Sequence, residues 1–362
     1  MKLELTEFIR KNPDWKQILS EKPFFITIKE DETYYLFSYS QIDSDFSIRL
    51  VQECRGIIFR KSDMKPVCIP FFKFFNVQEG YSAILDWSTA RVQEKIDGSI
   101  IKVWFDNGEW HVSTNGTIDA QKAALGADAL LKNDCYYKNY DELFCSVFPE
   151  HLFFDTLQTN KTYMFEIVSL FNRVVVPYSE TKIYHIGTRN NDTLKESNDD
   201  IGIEKPKEYD LHSVEECLKI AETLPFDKEG YVVLDKYYNR IKIKGAQYVV
   251  YHHLKGNGVV TIRRILDLIK SNGQDDFKAH FKEYREIIEK IEDKAKEFIS
   301  CVESEFIVVN NNNYSNRKEL ALFVIKTTCP SAIFSVLDGK SSSIKEWFWK
   351  QQNDKIERII GE

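Results

Sequence analysis

Lys95 stands in the sequence Lys-Ile-Asp-Gly-Ser, directly before a run that predicts a strand, Ile100–Phe105. A lysine amine attacks phosphorus only when it is neutral, and a lysine in water, with a pKa of about 10.4, is protonated at neutral pH. Nucleophilic chemistry at Lys95 therefore requires neighbours that lower its pKa. The Lys-x-Asp-Gly spacing alone is weak evidence, because it also suits a solvated lysine beside a turn.

The other residues that such chemistry needs occur in order along the chain. Lys242 and Lys244 flank Ile243 on a predicted strand, so both lysines can face one cleft. With a divalent metal, they can lower the pKa of Lys95 and hold a triphosphate in line for attack. Such a site works by positioning and charge neutralisation and needs no histidine base. The surrounding stretches are Glu53-Cys54-Arg55-Gly56, Phe72-Lys73-Phe74-Phe75-Asn76, Met164-Phe165-Glu166, Lys228-Glu229-Gly230-Tyr231-Val232-Val233 and Ile241-Lys242-Ile243-Lys244.

This ordered set resembles the covalent nucleotidyltransferase superfamily of DNA ligases, RNA ligases and mRNA capping enzymes. Within that superfamily, it most resembles the tRNA-repair RNA ligase family of T-even phages. The pieces that carry this resemblance are Lys-Phe-Phe-Asn from Lys73, Lys-Ile-Asp-Gly-Ser from Lys95, Glu-Gly-Tyr-Val-Val from Glu229, Lys-Ile-Lys from Lys242 followed by Tyr248, and Asn172-Arg173-Val174-Val175. The resemblance spans most of residues 50 to 255 and implies an ATP-dependent RNA ligase.

The resemblance implies three in-line displacements at phosphorus. Lys95 takes AMP from ATP and releases pyrophosphate, AMP moves to an RNA 5′ phosphate, and a 3′ hydroxyl displaces AMP to seal the strand. The implied cofactors are ATP and Mg²⁺, for which Mn²⁺ can substitute. The implied partners are RNA with 5′-phosphate and 3′-hydroxyl ends, such as a broken tRNA, and an end-healing kinase-phosphatase. No membrane partner is expected.

The resemblance also assigns roles to individual residues. The implied catalytic set is Lys95, Asp97, Glu229, Lys242 and Lys244. The implied nucleotide-binding set is Arg55, Lys73, Phe75, Glu94, Lys95, Gly98, Ser99, Glu166, Lys242 and Lys244. Glu229 is expected to anchor the metal, and Glu166 to contact the ribose or a second metal. The competing interpretation of Glu229 is a surface carboxylate paired with Lys228.

Elementary chemistry gives reasons for several of these roles. Gly98 allows a turn that brings the chain close to the nucleotide, and Ser99 can donate to a phosphate. Arg55 is expected to supply positive charge toward the sugar or the RNA 5′ phosphate, and Lys73 toward the leaving pyrophosphate. Phe75 can pack against adenine, although an aromatic side chain more often fills a core.

Two further positions refine the expected pocket. The backbone carbonyl of Glu94 is implied to face the adenine amino group. At Asn115 the phage relatives carry a lysine, which implies one positive charge fewer in the pocket of this chain. Asn115 can still donate a hydrogen bond.

The elements that position these residues change in type near residue 255. Before it, short runs rich in β-branched and aromatic residues, such as Phe24–Ile28 and Tyr231–Leu234, alternate with turn signals. Asp106-Asn107-Gly108 is typical of a hairpin turn. We therefore expect an α+β fold in which residues 1–255 form a nucleotidyltransferase (adenylyltransferase) domain of antiparallel sheets and helices.

Residues 256–362 are predicted to form an all-α domain that selects the RNA substrate. Apolar residues there recur at steps of three and four, which indicates one long amphipathic helix. Its predicted stripe is Phe277, Phe281, Tyr284, Ile287, Ile288, Ile291, Phe298, Ile299, Val302 and Phe306. Further helices are expected over Arg317–Thr327 and Ser343–Ile360, with Lys255-Gly256-Asn257-Gly258 as the joint between domains. Candidate RNA contacts in this domain are Arg263, Arg264 and Lys270.

Bulk properties fit a folded enzyme. The chain has 362 residues, 43% of them hydrophobic and 29% charged, which is ordinary for two domains. A net charge of −7 argues against a protein that coats nucleic acid indiscriminately, yet it permits a local basic cleft. The charged N-terminus lacks the apolar core of a signal peptide, and the cysteines form no Cys-x-x-Cys pair. We expect reduced thiols and a cytoplasmic protein, in the host cytoplasm if the source is viral.

Three alternatives remain open. A DNA ligase and a GTP-dependent capping nucleotidyltransferase normally continue into an OB barrel of short strands, whereas the pattern here continues into helices. A protein that binds RNA ends without catalysis is a third alternative. The presence of Lys95, Glu229, Lys242 and Lys244 argues against it.

Overall fold

The computed structural model describes residues 2–125, 137–172, 174–176, 178–225, 227–249, 261–275, 278 and 284–361. The chain forms two compact units, Met1–Ser40 with Ser44–His252 and Gln41–Asp43 with His253–Glu362. Several predicted features lie outside the described residues, namely the joint at 255–258, Arg173, Phe277 and Phe281. The domain boundary at residue 255 therefore stays a prediction.

The strands of the first unit form three sheets. In chain order the strands are β1 Ile26–Glu30, β2 Tyr34–Tyr39, β3 Arg55–Arg60, β4 Pro66–Cys68, β5 Phe75–Asn76, β6 Arg91–Glu94, β7 Ser99–Asp106, β8 Glu109–Thr114, β9 Lys161–Val168, β10 Lys182–Asn190, β11 Glu196–Ser197, β12 Glu208–Tyr209, β13 Gly230–Leu234 and β14 Arg240–Lys244. The strand orders are β1-β2-β3-β4 in the first sheet, β11-β10-β9-β7-β8 in the second and β12-β6-β13-β14-β5 in the third. Neighbouring strands are antiparallel except β5 and β14, which are parallel.

Short helices flank these sheets. They are α1 Glu4–Lys11, α2 Trp15–Ser20, α3 Arg49–Glu53, α4 Tyr140–Cys145, α5 Leu152–Asp155 and α6 Val214–Ala221. Two of them begin at side-chain caps, because Asn139 accepts from the Glu142 amide and Ser213 from the Glu216 amide. The cores follow strand alternation, so that Phe165 on β9 lies wholly within the core of the second sheet.

The β7–β8 hairpin confirms the turn predicted at Asp106-Asn107-Gly108. Asp106 pairs with Glu109, and Asn107 and Gly108 both have positive φ, at 50° and 86°. Two successive residues with positive φ are the signature of the type I′ turn that matches strand twist.

The loop after β6 joins two sheets. Strand β6 belongs to the third sheet and β7 to the second, so the residues between them, Lys95–Gly98, cross from one sheet to the other. Lys95 is tied to the third sheet, because its amide donates to the carbonyl oxygen of Gly230 at 2.9 Å. The predicted nucleophile therefore lies at a sheet junction.

The second unit is helical in all its described elements, as the apolar periodicity predicted. The helices are α7 Ile262–Lys270, α8 Arg285–Asn311, α9 Arg317–Val324, α10 Pro330–Leu337, α11 Ile344–Trp349 and α12 Asn353–Ile360. The long helix α8 buries the stripe Ile288, Ile291, Ala295, Ile299, Val302 and Val309. Ile287 is 39% exposed, which differs from the prediction because it lies off this stripe. The single helix predicted over Ser343–Ile360 is two helices.

Two of the predicted RNA contacts are engaged inside the second unit. Lys270 Nζ donates to the Gln351 carbonyl at 2.7 Å and to Asn353 Oδ1 at 2.6 Å. Arg263 pairs with Asp354 at 2.6 Å. These cations stabilise the packing of α7 against α12.

The remaining general expectations concern thiols and membranes. The described cysteines are free, and Cys54, Cys68, Cys217 and Cys329 are buried. Within the described ranges, no helix combines the length and the apolar character that crossing a bilayer requires.

Gly230 should be intolerant of any side chain. Its φ is +133°, and an added Cβ would lie 2.1 Å from the carbonyl oxygen of Ile243. We expect Gly230→Ala to lower the free energy of unfolding by about 2–4 kcal/mol in urea titrations. Gly80→Ala is the matched control, since its Cβ would meet nothing within 4 Å. Equal stability of the two variants would contradict the strain argument.

Candidate active site

A cavity of about 440 Å³ in the first unit receives most of the predicted site residues. We call it the Lys95 cavity. Of the predicted residues, those that line it are Arg55, Glu94, Lys95, Gly98, Ser99, Glu166, Glu229, Lys242 and Lys244. Asp97, Lys73 and Phe75 do not line it. The structure thus brings together residues that are up to 189 positions apart, from Arg55 to Lys244.

The side chain of Lys95 forms an ion pair. Its Nζ lies 2.7 Å from Oε2 of Glu229, and the Lys95 side chain is 21% exposed. Burial lowers the pKa of Lys95, but the carboxylates of Glu229, Glu166 and Asp97 outweigh burial and raise that pKa above its ordinary value. The carboxylate of Glu229, 2.7 Å from the amine, thus favours the ammonium form of Lys95. That Lys242 and Lys244 lower the pKa of Lys95 together with a divalent metal stays a prediction.

The strand β14 carries a row of cations. Lys242 and Lys244 alternate with buried Ile243 and both line the Lys95 cavity, as predicted. Burial, together with the charges of Lys244, Lys73 and Lys95, lowers the pKa of Lys242 to about 7. A phosphate chain in the cavity would favour the charged form of these amines, so the row is suited to a polyanion.

Of the three glutamates that line the same cavity, Glu94 pairs with Lys228, and Glu166 and Glu229 lie near Lys95. Burial raises the pKa of Glu166 to about 8; Lys95 opposes this shift and Glu229 adds to it. Glu229 is 7% exposed and pairs with Lys95, while Lys228 pairs with Glu94 at 2.7 Å. The interpretation of Glu229 as a surface carboxylate paired with Lys228 is therefore wrong.

The carboxylate pair fits a hard divalent cation. The described residues contain no group of three or more His, Cys, Asp or Glu side chains that could hold a metal ion. Glu229 and Glu166 could supply two oxygen ligands, and Mg²⁺ accepts one or two carboxylates with water and phosphate oxygens in its remaining positions. A nearby cation would also favour the ionised form of Glu166.

Asp97 has a positioning role, which corrects its predicted place in the catalytic set. It is 4% exposed, and Oδ2 accepts hydrogen bonds from the amides of Val175 and Val176 at 2.8 and 2.7 Å. Its Oδ1 accepts from the hydroxyl of Tyr248 at 2.8 Å. The carboxylate is thus occupied in tying the Lys95 loop to two distant segments, both of which carried the family resemblance.

Gly98 is required for a different reason from the one predicted. Its φ is not positive, so no special turn conformation is involved. An added Cβ would lie 2.3 Å from the carbonyl oxygen of Ile167 on β9. The loop therefore packs directly on the second sheet. Beside it, the Ser99 hydroxyl lies 3.0 Å from the Tyr140 hydroxyl and accepts from Asn172 Nδ2 at 3.2 Å.

The stretch Lys73-Phe74-Phe75 presents its residues to two cavities. Phe74 lines the Lys95 cavity, where the guanidinium of Arg55 lies 5.1 Å from its ring centre. Lys73 and Phe75 line a neighbouring cavity of about 580 Å³, which Phe74 lines as well. Their predicted contacts with the pyrophosphate and adenine stay predictions. Burial, together with the charges of Arg55 and Lys244, lowers the pKa of Lys73 to about 8.

Asn115 lines the cavity beside a buried lysine that the sequence did not single out. The Oδ1 atom of Asn115 is buried without a hydrogen-bond partner among the described residues. Lys102 is fully buried on β7, its Nζ donates to the Gly56 carbonyl, and burial lowers its pKa to about 8. A Cβ on Gly56 would lie 3.0 Å from Lys102 Nζ and 2.6 Å from the Asn115 carbonyl oxygen. The amine of Lys102 thus lies near Asn115, the position at which the phage relatives carry a lysine.

Sequence reasoning also missed two wall residues, Arg240 and Phe74. Arg240 lines the Lys95 cavity and precedes Lys242 by two positions on β14. The spacing Arg-x-Lys-x-Lys was a usable signal, because period-two residues share a strand face. No comparable pattern in the sequence distinguished Phe74 from its neighbours Lys73 and Phe75.

Glu229→Gln should lower the pKa of the Lys95 amine. The substitution removes the carboxylate 2.7 Å away that favours the ammonium form, whereas burial, which favours the neutral form, remains. Competitive amine labelling across pH, read by mass spectrometry, should show the Lys95 titration shifted toward lower pH. The control is Glu94→Gln, because Glu94 lines the same cavity and pairs with Lys228 instead. An unchanged titration in Glu229→Gln would refute the proposed balance of charges.

Comparison with known proteins yields a family match. The sequence model of a family described as RNA ligase matches residues 53–248, which is more than half of the chain. These residues include every predicted site residue, from Arg55 to Lys244.

Two relatives and one solved structure are similar to the chain. An RNA ligase of Rhodothermus phage RM378 is 26% identical and covers 92% of this chain and 91% of its own. A protein of Autographa californica nuclear polyhedrosis virus, named as a candidate bifunctional polynucleotide kinase/RNA ligase, is 29% identical over 73% of this chain. The present chain spans 40% of that relative's length. An archaeal ATP-dependent RNA ligase aligns over 90% of this chain and 89% of its own, with 11% identity and a TM-score of 0.46.

Proposed function

The chain belongs to the RNA ligase family, and we propose that it joins RNA 5′-phosphate and 3′-hydroxyl ends in an ATP-dependent reaction with Lys95 as the nucleophile. One observation carries this proposal. Stretches far apart in sequence supply one cavity with an amine, two carboxylates and a row of cations, of which Lys95, Glu229 and Lys242 are examples. That combination suits phosphoryl transfer, where positioning and charge neutralisation account for most of the catalysis.

In the first step, the Lys95 amine forms a bond to the α-phosphorus of ATP while the bond to pyrophosphate breaks. Lys95 must lose its proton before it attacks, and the hydrogen bond from Nζ to Glu229 orients the amine. Lys242, Lys244 and Arg55 stabilise the negative charge on the phosphate oxygens. A divalent cation held by Glu229 and Glu166 would neutralise the carboxylates that raise the pKa of Lys95 and would bind phosphate oxygens.

The next two steps use the same cations. An RNA 5′ phosphate attacks the same phosphorus and displaces Lys95, and a 3′ hydroxyl then attacks the RNA 5′ phosphorus and displaces AMP. Both are in-line displacements with similarly charged transition states, so one constellation of cations can stabilise each of them. Asp97 keeps the Lys95 loop in place throughout.

The biological setting is also proposed. We infer that broken tRNA is a natural substrate, that a kinase-phosphatase heals its ends, and that the reaction takes place in the cytoplasm, the host cytoplasm if the source is viral. The name of the baculovirus relative, which joins a kinase with a ligase, supports the pairing of healing with sealing. We assign substrate selection to the helical second unit.

Incubation with radiolabelled ATP and Mg²⁺ tests the covalent step. The unmodified chain should acquire an AMP label that survives a denaturing gel, and Lys95→Met should lose it by roughly a thousandfold or more, because no other side chain can replace the nucleophile. Lys65→Met is the control, since that lysine is 56% exposed and does not line the Lys95 cavity. A label on Lys95→Met, or a preference for GTP, would contradict the proposal.

A panel of broken strands tests the substrate class. All substrates carry 5′-phosphate and 3′-hydroxyl ends, and they comprise single-stranded RNA, nicked duplex DNA and a tRNA-derived stem-loop cut in its loop. We expect the RNA substrates to be sealed at least about tenfold faster than the nicked DNA. Faster sealing of DNA would reject the RNA assignment, and equal sealing of linear and stem-loop RNA would reject tRNA selectivity.

A further inference from the structure

In the proposed adenylation step, the cavity beside the Lys95 cavity contributes only Lys73, which the resemblance assigns to the leaving pyrophosphate. We call it the flanking cavity; its volume is about 580 Å³, and its walls belong to the first unit. Phe74 and Arg240 line both cavities, whereas Lys95 lines only its own. A molecule in the flanking cavity would therefore lie directly beside the reacting phosphates.

The walls of the flanking cavity are strongly basic in a protein whose net charge is −7. Among the described residues, the lining cations are Arg49, Lys73, Arg189, Lys195, Lys236 and Arg240, and one carboxylate, that of Glu196, lines the cavity. Glu196 hydrogen-bonds to Arg189 and, at 2.8 Å, to Arg240, so its charge is already compensated. The excess of positive charge suits a ligand with several phosphates.

Arg189 is a buried cation that lines the flanking cavity. The residue is 2% exposed, and its guanidinium lies 4.0 Å from the ring centre of Phe72. Its Nε and Nη1 atoms are buried and have no hydrogen-bond partner among the described residues. Buried donors of a charged group without acceptors are costly, and a phosphate oxygen is the acceptor that guanidinium groups bind best.

Aromatic side chains accompany these cations. Tyr81 and Tyr237 line the flanking cavity and are 52% and 68% exposed, which is unusual for large aromatic residues. The ring of Tyr81 lies 5.6 Å from that of Phe75, and the Lys236 amine lies 4.9 Å from the Tyr237 ring. Cations that follow a backbone beside aromatic rings that stack on bases are typical of surfaces that bind single-stranded nucleic acid.

The order of the displacements at phosphorus indicates which of the two RNA strands would bind in the flanking cavity. Lys95 attacks the α-phosphorus from one side, and pyrophosphate leaves from the opposite side. When Lys95 later becomes the leaving group, the RNA 5′ phosphate must approach from that same opposite side. The 5′ end also brings a phosphate to the reaction, whereas the 3′ end brings an uncharged hydroxyl. A basic cavity that does not include Lys95 therefore suits the 5′-phosphate strand.

We propose that the flanking cavity binds the RNA strand that carries the 5′ phosphate, with a backbone phosphate at Arg49 and Arg189 and a base stacked on Tyr81 or Tyr237. This inference rests on the proposed ligase function and extends it to the path of one substrate strand. The flanking cavity holds that strand while AMP is transferred to its end.

Two variants outside the Lys95 cavity test this path, Arg49→Gln and Tyr237→Ala. We expect each to weaken binding of a 5′-phosphorylated single-stranded RNA with a blocked 3′ end by about tenfold, measured by fluorescence anisotropy. Single-turnover formation of RNA-adenylate should slow by a similar factor. Adenylation of the protein by ATP should stay within about twofold of the unmodified chain. The matched controls are Arg10→Gln and Ile84→Ala, which are exposed and do not line the cavity.

Three other outcomes would contradict the assignment of the flanking cavity to the 5′-phosphate strand. Normal RNA-adenylate formation in both variants would remove the cavity from the RNA path. An equal loss of protein adenylation would instead assign the cavity to the triphosphate of ATP. Normal transfer with slow sealing of RNA-adenylate would assign it to the 3′-hydroxyl strand. If the unmodified chain forms no protein adenylate, the ligase proposal fails, while RNA binding by the two variants still tests the cavity independently.

Discussion

The ion pair between Lys95 and Glu229 is the interaction on which the site depends. Near only Lys242 and Lys244, a buried amine would lose its proton, because burial and like charges both disfavour the ammonium form. A buried pair of carboxylates without a cation would share a proton. Placed 2.7 Å apart, the amine and the carboxylate stabilise each other's charged forms. The same contact favours the protonated form of the Lys95 amine, and a divalent cation on the carboxylates would shift the balance toward the neutral amine. The ion pair with Glu229 stabilises the buried charge of Lys95, whereas attack on phosphorus requires the neutral amine.

The fold meets these demands by building the site where two sheets meet. The Lys95 loop leaves the third sheet and enters the second, and Gly98 lets it lie against the backbone of β9. Asp97 is hydrogen-bonded to the backbone at Val175 and to Tyr248, so the loop has little freedom. A loop fixed at both ends positions an amine more accurately than a free surface loop can. Val175 and Tyr248 contact the Lys95 loop through Asp97 and do not line the cavity. Their part in fixing the loop explains why they belong to the set of residues that carries the family resemblance.

The sequence was informative where chemistry constrains residue type and spacing. Lys95, Glu229, Lys242 and Lys244 line one cavity because period-two spacing and motif order restrict where such side chains can point. The sequence was less informative where tertiary packing determines the contacts or the charge state of a side chain. The role of Asp97, the buried position of Phe75 beside a second cavity and the charge state of Lys95 depend on neighbours that approach from other strands. The apolar period predicted the helices of the second unit, but the break between α11 and α12 carries no glycine or proline and was not visible.

The short parallel pairing of β5 with β14 has a thermodynamic consequence. It holds Phe75 beside Ile241 and Asn76 beside Lys242, and Phe74 and Arg240 are shared by both cavities. A ligand that orders this common wall from one side reduces the entropy that a second ligand must lose on the other. Linkage makes the effect reciprocal, so any factor by which a bound nucleotide tightens RNA binding is also the factor by which RNA retains the nucleotide. A shared wall of this kind favours completion of a ligation once begun over release of an adenylated strand.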